Sequence, residues 1–145
     1  MNIIIRKALP EDAATITMLT HQLGYSISIE QTLQNIKAIT ANKDHTAFVA
    51  VHEKQVIGWI CLSYMIQLES PPVCELRGLV IDEGYRKMGI GKMLINEAKR
   101  WSKEKGNDQL RLRCNAKRTE THLFYKHLGF KEIKQQKVFV IDLDN

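Results

Sequence analysis

The sequence predicts one mixed α/β domain with the element order β-α-α-β-β-β-α-β-α-β-β. Short apolar, often β-branched runs alternate with longer segments whose apolar residues recur at helical spacing. Glycine, proline and helix-capping residues stand at the boundaries between these segments. The 145 residues are 44% hydrophobic and 26% charged, which suits one hydrophobic core. With no linker or repeat in sight, we expect residues 1–145 to form a single domain.

The first third of the chain predicts a strand followed by two helices. Residues 3–5 are three consecutive isoleucines, which favour a strand. Pro10 and the acids after it indicate a helix start, and Gly24 ends the apolar periodicity that follows. Ser28 and Gln31 have the spacing of a capping box, so a second helix should begin there.

The middle of the chain predicts three strands and a long helix. Residues 46–51 and 56–62 are apolar runs around a polar tetrapeptide, which indicates a hairpin. A fourth strand should cover residues 73–81. The amphipathic helix after it should bury one face and end at Gly106. The buried residues expected on that helix are Ile90, Leu94, Ala98 and Trp101.

The last third predicts a strand, a short helix and a closing hairpin. Residues 110–114 alternate apolar and polar side chains, as a strand with one buried face does. A short helix should end at Leu128-Gly129. Phe130 should then begin a hairpin that closes with the apolar run of residues 138–141.

Composition narrows the classes of protein. No apolar run is long enough to span a bilayer, and the N-terminus becomes charged too soon for a secretory signal. Three scattered cysteines suggest reduced thiols, and neither they nor the five histidines have metal-ligand spacing. We therefore expect a cytoplasmic protein with no metal and no membrane partner.

Charge is unevenly distributed along the chain. The formal net charge is +5, of which residues 1–76 contribute −2 and residues 77–145 contribute +7. The basic half suits a polyanionic ligand, and the acidic bias of the first half suits a cationic amine. A solvated basic surface is the alternative explanation. Nucleic-acid binding is not expected, because no aromatic residues interleave with the basic ones.

The stretch from Arg86 to Lys92 has the character of a phosphate site. Gly89 and Gly91 stand where a strand and turn give way to a helix, so a ligand can approach the backbone closely. The first helical N–H groups and the helix dipole favour an anion there, and neighbouring basic side chains add charge. Ile90 follows the second glycine of a Walker-like spacing, and Leu94 replaces the third glycine of a dinucleotide fingerprint, so both motifs fail.

The remaining pattern, Arg-x-x-Gly-x-Gly after a hydrophobic strand, resembles the acetyl-coenzyme A (acetyl-CoA) signature of the GNAT superfamily of N-acetyltransferases. Residues 124–130, Phe-Tyr-Lys-His-Leu-Gly-Phe, resemble a second segment of that family at the usual separation. The specific resemblance covers roughly residues 73–131, and the first half matches in element order only. It implies a mostly antiparallel central sheet of about seven strands flanked by helices.

The resemblance also implies cofactor-binding residues. The strand end at Leu79, Val80 and Ile81 should contact the pantetheine arm, with the backbone of Leu79 and Ile81 pairing with it. The amides of the loop should hold the pyrophosphate, and Asn115 should hydrogen-bond the cofactor or a water bound to it. The loop residues are Arg86, Lys87, Met88, Gly89, Ile90, Gly91 and Lys92.

Catalytic roles follow from the resemblance in the same way. Tyr125 matches the tyrosine that protonates the leaving thiolate, and Glu75 sits where some members place a general base. By period two, Glu75, Arg77, Leu79 and Ile81 should share one strand face. Acyl transfer needs a neutral amine, an oxyanion donor and a proton for the thiolate. The backbone N–H of Ile81 is the oxyanion donor that the family suggests.

Each of these residues also has a structural alternative. Arg77 can pair with Glu75 and weaken it as a base. Tyr125 can be a hydrogen-bonded core tyrosine, and Asn115 can form a turn before the last helix. Tyr25, in the loop between the first two helices, can line the acceptor pocket or cover the edge of the core.

The sequence thus predicts an acetyl-CoA-dependent N-acetyltransferase that acts on a primary amine of a small molecule by direct attack in a ternary complex. Acetylation of a protein lysine or N-terminus is one alternative. A non-catalytic acyl-CoA-binding module is another, since it would need neither Glu75 nor Tyr125. The expected partners are acetyl-CoA and the amine, and a homodimer is one option for the oligomeric state.

Overall fold

A computed structural model describes residues 1–144. The chain forms two compact units, one from Met1 to Arg113 and one from Cys114 onward. The first unit holds a five-stranded sheet and three helices, and the second holds one helix. Among the described residues, no helix is both long enough and apolar enough to cross a membrane.

The sheet of the first unit follows the chain order, β1-β2-β3-β4-β5. Neighbouring strands are antiparallel, except that β4 and β5 are parallel. The strands are β1 (Ile3–Lys7), β2 (His45–His52), β3 (Gln55–Met65), β4 (Val73–Ile81) and β5 (Leu110–Leu112). These positions confirm the predicted first strand, hairpin, fourth strand and fifth strand.

Four α-helices accompany the strands: α1 (Ala13–His21), α2 (Ile29–Thr40), α3 (Ile90–Glu104) and α4 (Thr119–His127). Short 3-10 turns at Pro10–Asp12 and Glu83–Tyr85 precede α1 and α3. Ser28 caps α2 as predicted, because its side chain accepts a hydrogen bond from the Gln31 amide at 3.0 Å. Gly106 follows α3 at φ +85°, a conformation that favours glycine.

The core of the first unit joins the helices to the sheet. One cluster packs apolar residues of α1 and α2 against β2, β3 and β4, with Val49 and Val80 at its centre. Trp59 packs against this cluster from β3. The helix α3 packs against β3 and β4 and buries the four residues expected of it, Ile90, Leu94, Ala98 and Trp101. The predicted amphipathic face of α3 is therefore confirmed.

The closing hairpin is not formed, so the expectation of about seven strands is wrong for the described residues. Residues 130–144 contain neither helix nor strand. The apolar run of residues 138–141 is 82–92% exposed. Its β-branched composition favours a strand, but a strand also needs a neighbouring strand for its backbone hydrogen bonds. The described chain provides five strands, and none of them pairs with this segment.

Candidate functional site

The end of β4 has one unpaired side. The parallel pairing with β5 covers only residues 74–76. Within the described residues, no strand follows residues 77–81 on that side, although β3 pairs with β4 along its whole length. The two strands therefore part beyond Leu76, and the edge of β4 becomes available to a ligand.

The hydrogen-bond alternation of the ladder identifies the main-chain groups at this edge. The Asp82 N–H donates to the carbonyl of Ile57 in β3 at 2.8 Å. Successive residues of an antiparallel strand alternate between facing the partner and facing away. The N–H and C=O groups of Ile81 and Leu79 therefore point away from β3. An extended ligand could pair with them as an added strand.

Val80 differs from the residues on either side. By the same alternation its main chain faces β3, opposite Trp59. Its side chain is 3% exposed and lies in the core. Val80 therefore anchors this part of β4 to β3 and to the core, while the main-chain groups of Leu79 and Ile81 point outward.

A β-bulge interrupts the register of β4. Ser63 lies opposite Glu75, and Cys61 lies opposite Gly78, so Arg77 is an extra residue on β4. Directly opposed residues place their side chains on the same face of a sheet. The bulge therefore puts the side chain of Glu75 on the face of Gly78.

The bulge overturns one prediction from the sequence. Strict alternation placed Glu75 on the same face as Leu79 and Ile81. The extra residue reverses the alternation, and the side chains of Leu79 and Ile81 lie on the opposite face. Period two fails here because a single inserted residue exchanges the two faces of every residue beyond it.

Glu75 is buried and paired with arginines. Its side chain is 2% exposed, and its Oε1 accepts a hydrogen bond from Arg77 Nη1 at 2.6 Å. Its Oε2 makes no hydrogen bond within the described residues and lies 3.6 Å from Arg113 Nε. The ion pair with Arg77 is thus formed, as the alternative for Glu75 anticipated.

The start of α3 has the backbone of an anion site. Gly89 is at φ +82°, and no heavy atom lies within 4 Å of the place where a Cβ would stand. The first intrahelical hydrogen bond of α3 runs from the Met93 amide to the Gly89 carbonyl, at 3.1 Å. The amides of residues 90–92 precede it, where the helix supplies no carbonyl. Lys87 also has positive φ, +64°, so the chain curls tightly before the helix.

The side chains around this helix start are basic and exposed. Arg86, Lys87 and Lys92 are all exposed, and Arg86 Nε donates to the Ile81 carbonyl at 3.4 Å. Ile90 is 1% exposed and anchors the first turn in the core. Fixed amides, the helix dipole and three cations therefore converge where the sequence predicts a pyrophosphate. Met88, 53% exposed, lies on the same loop.

Gln22 links the end of α1 to the loop after β4. Its Nε2 donates to Asp82 Oδ1 at 2.8 Å, and its Oε1 accepts from the Glu83 amide at 3.0 Å. The residues that follow Gln22 form the loop between α1 and α2, in which Tyr25 is 59% exposed. Tyr25 therefore does not cover the core edge. The side chain of Gln22 fixes the loop that leads into the helix start of α3.

A second contact supports the same loop. His52 Nδ1 lies 3.0 Å from the hydroxyl of Tyr85, and the two rings meet edge to face at 5.5 Å. Tyr85 belongs to the 3-10 turn directly before Arg86. The end of β2 thus supports the basic loop through His52.

The cysteines of the first unit are poor nucleophiles. Burial raises the pKa of Cys61, although the charge of Arg77 acts in the opposite direction. Burial also raises the pKa of Cys74. The nucleophile is the thiolate, and a raised pKa reduces its fraction near neutral pH. A covalent acyl-cysteine step is therefore disfavoured at both positions.

The second unit contains Asn115 and Tyr125. Asn115 is exposed, and its Oδ1 accepts from the Lys117 amide at 2.9 Å, which is an Asx turn. The structure thus contains the turn that was the alternative for Asn115. Tyr125 lies on α4, half-buried, with its ring edge to face with Phe124 at 5.3 Å and with Phe130 at 5.7 Å.

Several contacts at this site were beyond reach of the sequence. Gln22 is about 60 residues from its partners, and no motif marks it. Arg113 belongs to the alternating run of β5, but its pairing with Glu75 depends on the parallel register of two strands. Across residues 1–144, no group of three or more His, Cys, Asp or Glu residues has the arrangement of a metal site.

Comparison with known proteins identifies the class. The acetyltransferase (GNAT) family matches residues 12–130. An uncharacterized N-acetyltransferase of Chlorobaculum tepidum is 31% identical over 91% of this chain and 77% of its own length. An aminoglycoside N(6')-acetyltransferase type 1 of Stenotrophomonas maltophilia is 23% identical over 97% of this chain and 94% of its own.

Solved structures agree on the fold. A crystal structure of an aminoglycoside antibiotic 6'-N-acetyltransferase from Acinetobacter haemolyticus superposes with a TM-score of 0.86 at 24% identity, covering 99% of this chain and all of that one. An aminoglycoside N-acetyltransferase in complex with CoA gives a TM-score of 0.85 at 22% identity, covering 97% of this chain and 95% of that one.

The chain belongs to the GNAT family of acetyltransferases and is an N-acetyltransferase of that family. The predicted family membership is therefore confirmed. The second of these solved structures contains CoA.

Proposed function

We propose that this protein transfers the acetyl group of acetyl-CoA to a primary amine of a small molecule, by direct attack in a ternary complex. The observation that carries the proposal is the continuity between the free edge of β4 and the basic helix start of α3. An extended pantetheine arm and a diphosphate need this pair of features, one after the other.

The donor side of the site uses main-chain groups. The outward N–H and C=O groups of Leu79 and Ile81 pair with the pantetheine amides. The amides of residues 87–92 bind the pyrophosphate, with Arg86, Lys87 and Lys92 neutralising its charge. The family resemblance assigns Asn115 a hydrogen bond to the cofactor, and its Asx turn occupies only Oδ1.

The chemical step forms a C–N bond and breaks a C–S bond. The attacking amine must first lose a proton, and Glu75 accepts it by way of water, because its buried side chain is not in reach of the amine itself. A main-chain N–H of the free edge of β4, one that the pantetheine leaves unused, donates to the oxyanion that develops on the carbonyl. Tyr125 returns a proton to the departing sulfur, so that free thiol leaves. The role of Tyr125 rests on its motif, Phe124-Tyr125 followed by Leu128-Gly129-Phe130.

A small-molecule acceptor is favoured over a protein. Four relatives bear the name aminoglycoside N(6')-acetyltransferase type 1, which specifies an activity on an amine of a small molecule. The family resemblance places the acceptor between the late strands and the loop that joins α1 and α2, in which the ring of Tyr25 is 59% exposed. Direct attack is favoured because burial raises the pKa of Cys61 and Cys74.

Release of free thiol from acetyl-CoA, measured over a panel of primary amines and lysine peptides, tests this function. Turnover on small amines but not on peptides is the expected result. Turnover on peptides alone would assign the protein to protein acetylation. Acetyl-CoA binding without turnover on any acceptor would make it a non-catalytic binding module.

The proton donor has its own test. Tyr125→Phe should lower kcat by about 10²–10⁴-fold and leave the affinity for acetyl-CoA nearly unchanged, because it removes only a proton transfer. Tyr64→Phe makes the same chemical change on β3 and should keep wild-type turnover. An unchanged kcat in Tyr125→Phe would exclude this residue as the acid.

A further inference from the structure

The buried carboxylate of Glu75 lies within a cluster of arginines. Arg77 donates to its Oε1 at 2.6 Å, and Arg113 Nε lies 3.6 Å from its Oε2. Arg111 lies opposite Glu75 in the parallel register with β5, so its side chain stands on the same face. We call Arg77, Arg111 and Arg113 the arginine cluster.

The arginine cluster carries more charge than Glu75 can neutralise. One carboxylate faces the guanidinium groups of Arg77 and Arg113, and Arg111 lies on the same face of the sheet, whereas a single arginine would neutralise it. The side chains of Arg77 and Arg113 remain 51% and 53% exposed, so about half of each side chain faces solvent. The loop of residues 22–28, where we place the acceptor, has no charged side chain to compensate.

The position of the cluster relates it to the acceptor rather than to the phosphates of the donor. Arg77 is the bulged residue directly before the free edge of β4, and the basic helix start lies beyond the opposite end of that edge. From Arg77 to Ile81 the strand rises by roughly 13 Å. A donor anchored at α3 and extended along Leu79 and Ile81 presents its reacting end toward Arg77.

We propose that the acceptor is an amine that also carries an acidic group, a carboxylate or a phosphate, which the arginine cluster binds. The proposal rests on the proposed acetyl transfer and specifies its substrate class. Arginine presents a planar fork of donors that matches carboxylate and phosphate oxygens in pairs. Glu75 fixes the guanidinium of Arg77 by accepting a hydrogen bond from its Nη1. The acidic bias of residues 1–76, which suggested a cationic acceptor, does not extend to this position.

Paired acceptors test the substrate class. O-phosphoethanolamine is compared with ethanolamine, and β-alanine with β-alaninamide, with rates referred to the concentration of uncharged amine. Ethylenediamine serves as the cationic probe. The acidic member of each pair should have a kcat/KM higher by at least about tenfold, the lower range for a charge-assisted hydrogen bond. A preference for β-alanine alone would identify a carboxylate site, and one for O-phosphoethanolamine alone a phosphate site.

Substitutions of the arginines test whether the arginine cluster causes the preference for the acidic acceptor. Arg77→Gln and Arg113→Gln should each reduce the preference for the acidic member and leave KM for acetyl-CoA unchanged, whereas Arg113→Lys should retain part of it. Arg100→Gln removes the same charge from the exposed face of α3 and should change nothing. Thermal melting checks that loss of a partner of the buried Glu75 has not unfolded the variants.

Three results would overturn the inference: equal kcat/KM within both pairs, a preference for ethylenediamine, or a rise in KM for acetyl-CoA in place of a lost acceptor preference. Turnover on neutral amines with no acidic preference would leave the proposed acetyl transfer intact. If no amine is turned over, calorimetric titration of the same pairs in the presence of CoA decides. Tighter binding of the acidic member would then support the substrate class although the acetyl transfer had failed, and equal binding would refute both.

Discussion

At the scale of single residues, Gly89 combines a demanding backbone with open surroundings. Its φ of +82° favours glycine, yet no heavy atom lies within 4 Å of the position of a Cβ. Asn and Asp tolerate the left-handed region better than other residues, and they differ from each other in charge alone. Backbone strain and electrostatics at the helix start can therefore be varied separately.

Gly89→Asp should weaken acetyl-CoA binding at least about tenfold more than Gly89→Asn, because like charges a few ångström apart near a protein surface repel by a few kcal/mol. Calorimetric titration of both variants measures the difference. Gly106→Asp is the matched control, since Gly106 has φ +85° and equally open surroundings at the other end of α3. Equal affinities for the two Gly89 variants would mean that the diphosphate binds elsewhere.

The structural roles of single residues could be predicted from the sequence where the cause of the role is local. Ser28 caps a helix through its own hydroxyl, and Gly89 and Gly106 flank α3 with positive φ, all decided within a few residues of sequence. The face of Glu75 could not be predicted, because the bulge at Arg77 depends on how β3 pairs with β4. The clamp of Gln22 likewise depends on tertiary packing.

At the scale of elements, the side chain of Gln22 connects α1 with the loop between β4 and α3. Gln22→Leu keeps the side-chain volume and removes both hydrogen bonds, leaving the Glu83 amide and Asp82 without these partners. We expect a several-fold weaker affinity for acetyl-CoA with little loss of stability, because the bonds are exposed and each contributes only about 0.5–1.5 kcal/mol. Titration calorimetry together with thermal melting measures both quantities.

Gln34→Leu provides the comparison for that change. Gln34 is an exposed residue of α2, so the same substitution there should leave acetyl-CoA affinity as in the wild type. If Gln22→Leu bound acetyl-CoA as tightly as Gln34→Leu does, the clamp would have no part in shaping the donor site.

The entry into α1 depends on Asp12, whose side chain is 7% exposed. Arg6 donates to both of its oxygens, at 2.8 and 2.9 Å, and the Leu9 amide donates at 2.8 Å. Burial alone would raise the pKa of this carboxyl, but the bonds from Arg6 and Leu9 outweigh it and lower the pKa. A lowered pKa in the folded state means that the contribution to stability is present above the unfolded pKa and is lost as pH falls.

Asp12→Asn should therefore destabilise the fold by about 1–3 kcal/mol at pH 7, the range for hydrogen bonds to a charged group. The difference from wild type should shrink as pH falls below about 3.8, the ordinary pKa of the carboxyl, because the unfolded chain then takes up a proton that the folded carboxyl resists. Urea unfolding at several pH values checks this, with the exposed Asp108→Asn as the control. A destabilisation that stayed constant down to pH 2 would contradict an electrostatic origin.

Most elements of the first unit could be predicted, because each has a strong local pattern and a partner next to it in the sheet. The predicted closing hairpin has the local sequence pattern of a strand but, among the described residues, no partner strand in the sheet. Residues 138–141 are as β-branched and aromatic as any strand here, yet they remain 82–92% exposed without a pairing strand. Sequence patterns report propensity, and pairing is decided by the rest of the molecule.

At the scale of the whole molecule, the proposed donor-binding residues belong to the half of the chain, residues 77–145, that carries a net charge of +7. Acetyl-CoA should therefore bind faster and more tightly at low ionic strength, and its KM should rise several-fold between about 20 and 200 mM salt as screening increases. Steady-state kinetics with acetyl-pantetheine, which lacks the nucleotide and its phosphates, should show almost no salt dependence. Equal salt dependence for both donors would place the origin elsewhere.

The outward edge of β4 has a consequence for how this protein tolerates change. Hydrogen bonds from Leu79 and Ile81 come from atoms that every residue except proline carries. Side chains along this edge can therefore be substituted without removing the proposed main-chain hydrogen bonds to the thioester arm, provided that the strand keeps its register. Proline scanning along this edge should therefore weaken binding of the donor, because proline removes the N–H, whereas alanine scanning should not.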